Sequence, residues 1–235
     1  MASQLAGPYA MVDVGASAGL NLLCDRFRMD YGALGATGPV DSTVQIESRV
    51  IGGRPPIAER LPSVVSRIGI DRSPIDLADP SDARWLLACV WPDTGRLART
   101  AAAVRLGQLS PPRVLEGDAT TSLPAVLADL PAGAVAIVVT TWAFAYFSVE
   151  DREKFMRILD DASRRRDIAW LSAEGPGTVA PFAAEATEHD DQGLSHILGV
   201  IFFKAGQRRA QMLAYVQEHG AWIDWQAPPL IDNAR

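Results

Sequence analysis

The stretch VDVGASAGLNLL, from Val12 to Leu23, constrains this chain more than any other. Tyr9–Val14 is a short apolar run broken only by Asp13. Gly15, Ser17 and Gly19 follow, and then Leu20, Leu23, Cys24 and Phe27 recur at helical spacing. That order predicts a buried strand over Tyr9–Val14, a tight turn, and a helix over Ser17–Arg28. Two chemistries fit the turn. Gly15-x-Ser17-x-Gly19 spells the G-x-S-x-G elbow that presents a nucleophilic serine in many hydrolases. Asp13, Gly15 and Gly19 also place an acid and two glycines where a strand meets a helix, which lets the backbone approach a ligand closely.

The rest of the chain repeats the theme. Strands are predicted at Thr43–Ile51, Val64–Ile70, Arg113–Leu115, Ala134–Thr140 and Ile168–Ser172. Helices are predicted at Ser81–Val90, Gly95–Leu106, Leu123–Leu130 and Val149–Arg165, with Gly32–Val40 and Glu174–Gln192 as loops. Alternation of this kind argues for an α/β fold with a parallel sheet. After Gln192 the pattern changes to strand-like runs around KAGQRR, the mark of an antiparallel hairpin. The expectation is one domain over residues 1–235.

Composition narrows the classes. A net charge of −6 argues against an electrostatic grip on nucleic acid. No apolar run reaches membrane-spanning length and no signal-peptide pattern opens the chain, so a cytoplasmic protein is expected. Cys24 and Cys89 fall in apolar helical patterns and read as buried thiols. No Cys/His spacing suggests a metal.

The elbow reading is short of parts. Its oxyanion hole borrows an N–H from an earlier strand's loop, and only about a dozen residues precede Ser17. The ligand reading gains from two further acids. Asp71 ends a strand in GIDRSP, and Asp118 follows one in EGDAT. In an open α/β sheet, ligands bind outside the carboxyl ends of the strands. Three carboxylates there match three donors: an amine, a ribose diol and an adenine amine. S-adenosylmethionine carries all three.

VDVGASAG, GIDRSP and EGDA together resemble the motifs of class I S-adenosylmethionine-dependent methyltransferases. More narrowly, VDVGASAGLNLLCDRFRMDYG, RWLLACVWPD and WLSAEGPG resemble the bacterial domain-of-unknown-function 2332 family. Members of that family usually carry a helical segment before the first strand, which has no counterpart here. The resemblance implies a Rossmann-like three-layer sandwich with a mostly parallel seven-stranded sheet and a C-terminal antiparallel hairpin. It implies S-adenosylmethionine as cofactor, held by Asp13, Gly15, Ser17, Gly19, Asp71, Arg72, Asp118, Ala119 and Thr140.

Two departures matter. Asp13 and Asp71 are 58 positions apart, which implies an inserted strand or hairpin near residues 43–51. TTWAFAY after the fourth parallel strand lacks the Asp/Asn-Pro-Pro motif of amino-methylating nucleic-acid enzymes. A small-molecule acceptor is therefore expected, with no nucleic-acid or membrane partner; a homodimer is compatible with the sequence. Tyr146 and Glu174 are the candidate catalytic residues, Arg26 and Tyr31 candidate substrate contacts, and Trp142 a candidate pocket wall. A serine hydrolase using Ser17, and a silent methyltransferase-like binding partner, are the alternatives.

Overall fold

Short buried runs separated by glycine and proline leave little choice but a layered sheet, and twelve strands form among the described residues. In chain order they are β1 (Tyr9–Val14), β2 (Arg28–Asp30), β3 (Ala36–Thr37), β4 (Gln45–Glu47), β5 (Arg49–Val50) and β6 (Val64–Asp71). β7 (Val114–Glu116), β8 (Val135–Thr141), β9 (Ile168–Glu174), β10 (Ser195–Lys204), β11 (Gln207–Gln217) and β12 (Trp222–Trp225) follow. The α-helices are α1 (Pro80–Ala88), α2 (Arg96–Leu109), α3 (Ala119–Asp129) and α4 (Val149–Ser163). This computed structural model describes residues 7–58, 61–91, 95–185, 195–217 and 219–227. His189 and the end of the loop expected over Glu174–Gln192 lie outside them.

The main sheet has nine strands in the order β5-β12-β11-β10-β9-β8-β1-β6-β7. β7, β6, β1, β8 and β9 are mutually parallel, as expected from their apolar, β-branched character. β1 sits where the chain reverses direction across the sheet, with β6 on one side and β8 on the other. A crevice at the carboxyl ends of the strands on either side of that point is the usual ligand position in open α/β sheets.

β10 and β11 form the expected antiparallel hairpin. Its turn residues Ala205 and Gly206 have φ of 49° and 78°, the all-positive geometry that matches strand twist. The sheet exceeds the expected seven strands because β11 would otherwise leave a long open edge. β12 pairs with β11, and β5, from the insertion, pairs with β12. The run expected as one strand over Thr43–Ile51 is thus two. β4 joins the small sheet β3-β2-β4 and β5 joins the main one.

Alternation along β1 sorts its side chains between two cores. Ala10, Val12 and Val14 pack with Leu123 and Leu127 of α3 and Phe155 and Leu159 of α4. Tyr9 and Met11 face the other way, against Leu22. Leu22 belongs to a 3-10 helix, Leu20–Arg26, which replaces the α-helix expected over Ser17–Arg28. Gly15, Ser17 and Gly19 all have positive φ, so no helix can begin before Leu20, and Phe27 is already extended toward β2. α2 packs over this short helix through Ala102 and Ala103. Of the two cysteines expected to be buried, Cys24 is half-buried and Cys89, at the end of α1, is exposed.

Candidate functional site

The three acids lie on neighbouring strands, and Asp71 and Asp118 line one pocket, which Asp13, Ser17, Gly19 and Thr140 do not. Asp13 lies on β1, Asp71 ends β6 and Asp118 follows β7, on three neighbouring strands. The glycine turn after β1 is bound down onto β6: Gly15 and Ala16 donate their N–H groups to the Ile70 carbonyl at 2.8 and 3.2 Å. Asp71 completes this join. One carboxylate oxygen accepts from the Ser17 N–H at 2.7 Å, and the other from the Ser73 N–H at 2.8 Å. Each oxygen keeps a second lone pair for a ligand donor.

Asp118 caps α3. Its Oδ1 accepts from the N–H and hydroxyl of Thr120 at 2.9 and 2.8 Å. Its Oδ2 pairs with Arg72 at 2.5 Å. The Arg72 hydrogen bond holds the Asp118 carboxyl below its usual range. The Arg72 side chain is three-quarters exposed, so this ion pair is a weak, displaceable latch. Asp71, Arg72, Asp118 and Ala119 line a pocket of about 260 Å³ together with Trp142, Tyr146 and Phe147.

Asp13 differs from the other two acids. It is 1% exposed, no cation pairs with it, and the Asn21 amide is the polar side chain beside it. Burial pushes its pKa up to about 7; nearby Asn21 opposes the shift and Asp71 adds to it. The Asn21 amide itself donates to Thr141 at 3.3 Å. A buried carboxylate with no charged partner is expensive and invites a cation.

The glycines divide their work. A Cβ at Gly15 would lie 2.5 Å from the Ala143 Cβ, so this glycine lets the turn meet the loop after β8. A Cβ at Gly19 would lie 2.7 Å from Pro112 and 2.8 Å from Val114, so Gly19 serves the approach to β7. Ser17 holds φ of 52°, an uncommon conformation for a side-chain-bearing residue. A strained serine is also what an elbow needs, and of the three histidines a triad could use, His189 lies outside the described residues and His219 borders a different cavity. His196 lies on β10, three strands from β1, or about 14 Å at the usual strand spacing. Its ring stacks on Trp142 with centroids 4.1 Å apart. Ser17→Gly should therefore keep the fold and gain about 1 kcal/mol from relief of the left-handed backbone. A fluorophosphonate should leave wild-type Ser17 unlabelled by mass spectrometry.

Glu174 is 1% exposed, and its carboxylate accepts three backbone N–H groups, from Ala143, Phe144 and Ala145, at 3.0 to 3.3 Å. Burial raises its pKa, and those three bonds oppose the rise. Thr140 is wholly buried. Its hydroxyl accepts from the Trp170 indole at 3.0 Å and bonds to Glu174. Thr140 and Glu174 thus sit beneath the Trp142–Tyr146 loop, whereas Tyr146, 85% exposed, stands on the pocket rim. Trp142, the expected pocket wall, does line the pocket, with φ of 60°, whereas sequence reasoning missed Ala143 and Phe147. Only the position of TTWAFAY after a buried strand could have flagged them. Of the candidate substrate contacts, Arg26 ends the 3-10 helix and Tyr31 borders a second cavity; neither lines this pocket.

Among the described residues, no group of three or more His, Cys, Asp or Glu side chains could hold a metal. No described helix is long and apolar enough to cross a membrane.

Comparison with known proteins gives a family. Residues 1–225 match the model of the family described as "Uncharacterized protein conserved in bacteria (DUF2332)", and the chain belongs to that family. None of the curated proteins matches. Among solved structures, one similar chain is an S-adenosylmethionine-dependent methyltransferase from Clostridium acetobutylicum ATCC 824. It is 9% identical, with a TM-score of 0.29, covering 89% of this chain and 67% of that one. A similarity of that size says nothing about function.

Proposed function

We propose that this DUF2332 member is an S-adenosylmethionine-dependent methyltransferase acting on a small-molecule acceptor. The observation that carries the reading is Asp13, a buried carboxylate with no charged partner and only the Asn21 amide beside it, next to two further acids at neighbouring strand ends. The residues fit that cofactor. Asp13 would hold its ammonium group, Asp71 its ribose hydroxyls and Asp118 its adenine amine. When bound, S-adenosylmethionine supplies a methyl group activated by the neighbouring sulfonium.

Charge supports the choice of ligand. Two carboxylates and one arginine line the pocket, and the buried Asp13 feels the charge of Asp71. That environment favours a cation and repels a pyrophosphate or a nucleic-acid backbone.

The chain's own residues then have distinct work. The glycine turn, fixed by Asp71, sets how closely the backbone approaches the ligand. Arg72 must leave Asp118 before the adenine amine can reach Oδ2. Glu174 acts through Ala143, Phe144 and Ala145, holding Trp142 and Tyr146 in place. Tyr146 is the group placed to touch the acceptor and to take its proton where one must be lost. Positioning of the acceptor supplies most of the rate in a transfer of this kind.

Asp71→Ala tests the cofactor assignment. Two ribose donors lose a charged partner, at about 1.5–3 kcal/mol. Binding of S-adenosylhomocysteine, measured by calorimetry, should weaken roughly tenfold or more. Unchanged affinity would remove Asp71 from the site.

A further inference from the structure

Asp13 is buried, but the polar residue beside it is not. Asn21 lies in the first turn of the 3-10 helix Leu20–Arg26, where Leu22 and Leu23 turn into the core and Asn21 stays exposed. Its amide reaches back over the strand ends. It donates to the Thr141 hydroxyl at 3.3 Å and stands beside the Asp13 carboxylate. Thr141 is the last residue of β8, and Asp13 pairs in register with Val139, two residues before it. Asn21 therefore bridges the carboxyl ends of β1 and β8. Neither Asn21 nor Thr141 lines the pocket that Asp71 and Asp118 share.

These two residues complete a line of polar groups. The strand order β8-β1-β6-β7 puts Thr141 with Asn21, then Asp13, then Asp71, then Asp118 in succession along one edge of the sheet. Three strand spacings, about 14 Å, cover the row. The groups of S-adenosylmethionine come in the same order: carboxylate and ammonium at one end, ribose diol in the middle, adenine amine at the other end. The three acids account for the ammonium, the diol and the adenine amine. No acid can serve the remaining group, the α-carboxylate, which needs donors. An amide carries two N–H donors and a hydroxyl one, and both stand at the end of the row where that carboxylate falls.

We infer that Asn21, supported by Thr141, is a specificity-determining residue that selects an α-amino carboxylate, holding the ligand's carboxylate while Asp13 holds its ammonium. The inference rests on the cofactor reading above. Two opposite charges on one carbon call for an acceptor and a donor side by side, and Asp13 and Asn21 are that pair. The neutrality of Asn21 matters. A lysine or arginine there would form its own charge-assisted bond with Asp13 and compete with the ammonium, whereas an amide does not.

Two ligands that differ only in this carboxylate test the inference: S-adenosylhomocysteine, and its decarboxylated analogue carrying a plain aminopropyl chain. Both are titrated calorimetrically into the whole chain at about pH 8, where Asp13 is ionised. The wild type should bind S-adenosylhomocysteine about tenfold more tightly than the analogue, a comparison that needs no variant to fold. Asn21→Ala should erase most of that difference by weakening S-adenosylhomocysteine alone. Asn21→Asp, of the same shape, should reverse the preference, because its carboxylate repels the carboxylate of one ligand and attracts the lone ammonium of the other. Asn21 is exposed, so both variants should keep the fold. An asparagine with a merely structural role would change both affinities alike. Wild-type chain that binds neither ligand would sink the cofactor reading and this inference with it. Wild-type chain that binds both equally, or an Asn21→Ala variant that keeps the wild-type ratio, would overturn the inference alone.

Discussion

Asp13→Asn should make the protein more stable above neutral pH while weakening its cofactor binding. The native carboxyl has a pKa of about 7, against 3.8 for the ordinary side chain. The folded chain therefore keeps its proton over a range where the unfolded chain has lost it. Stability from this group is complete below about pH 4, declines as pH rises, and is gone above about pH 7. At 1.36 kcal/mol per unit, the ionised form costs the fold roughly 4 kcal/mol at pH 8. Asparagine has the same shape and never ionises. Thermal unfolding at pH 8 should show the variant several degrees more stable, since a chain of this length gains about 2–4 °C per kcal/mol. Below about pH 4 the two proteins should converge. Binding should change in the opposite sense. An ammonium group that pairs with Asp13 favours its ionised form, so wild-type affinity for S-adenosylhomocysteine should rise with pH up to about 7 and then level off. The variant should bind about ten- to a hundredfold more weakly and lose that pH dependence.

Glu174→Ala should be the most damaging single change near the site. It leaves the N–H groups of Ala143, Phe144 and Ala145 without their acceptor. Phe144 is buried, Ala143 half-buried and Ala145 exposed, so the penalty of about 1–3 kcal/mol for a stranded buried donor falls mainly on the Phe144 N–H, and a loss of roughly 2–3 kcal/mol is expected. The loop carrying Trp142 and Tyr146 would lose its shape, and binding would fall with it. Glu174→Gln keeps one acceptor oxygen and should lie between alanine and wild type. Denaturant midpoints and calorimetry on the same samples separate two roles. A residue that only positions the loop lowers stability and affinity together. A residue acting as a base would leave both intact in the glutamine variant while turnover vanished.

The parallel sheet was legible because its strands are short, buried and β-branched, as in AVAIVVT, and because Gly206 marks the hairpin turn. The glycine turn was legible too, but its consequence was not. Three positive-φ residues in five positions reduced the expected Ser17–Arg28 helix to a 3-10 segment. The run over Thr43–Ile51 was legible as strand, but not its division between two sheets, because β2 and β12, with which β4 and β5 pair, lie elsewhere in the chain. Asp13, Asp71 and Asp118 were readable from their places after apolar runs. The work of Glu174 was not: it meets a loop some 30 residues earlier in the chain through backbone N–H groups, which leave no trace in side-chain spacing. Gly19 and Pro112 met for a similar reason, by close approach between segments distant in the chain.

Calorimetric titration of the wild-type chain with S-adenosylhomocysteine tests the central claim most directly. One site per chain is expected, tighter at pH 8 than at pH 5, and abolished or strongly weakened in Asp13→Asn. No saturable heat at either pH, together with fluorophosphonate labelling of Ser17, would contradict it.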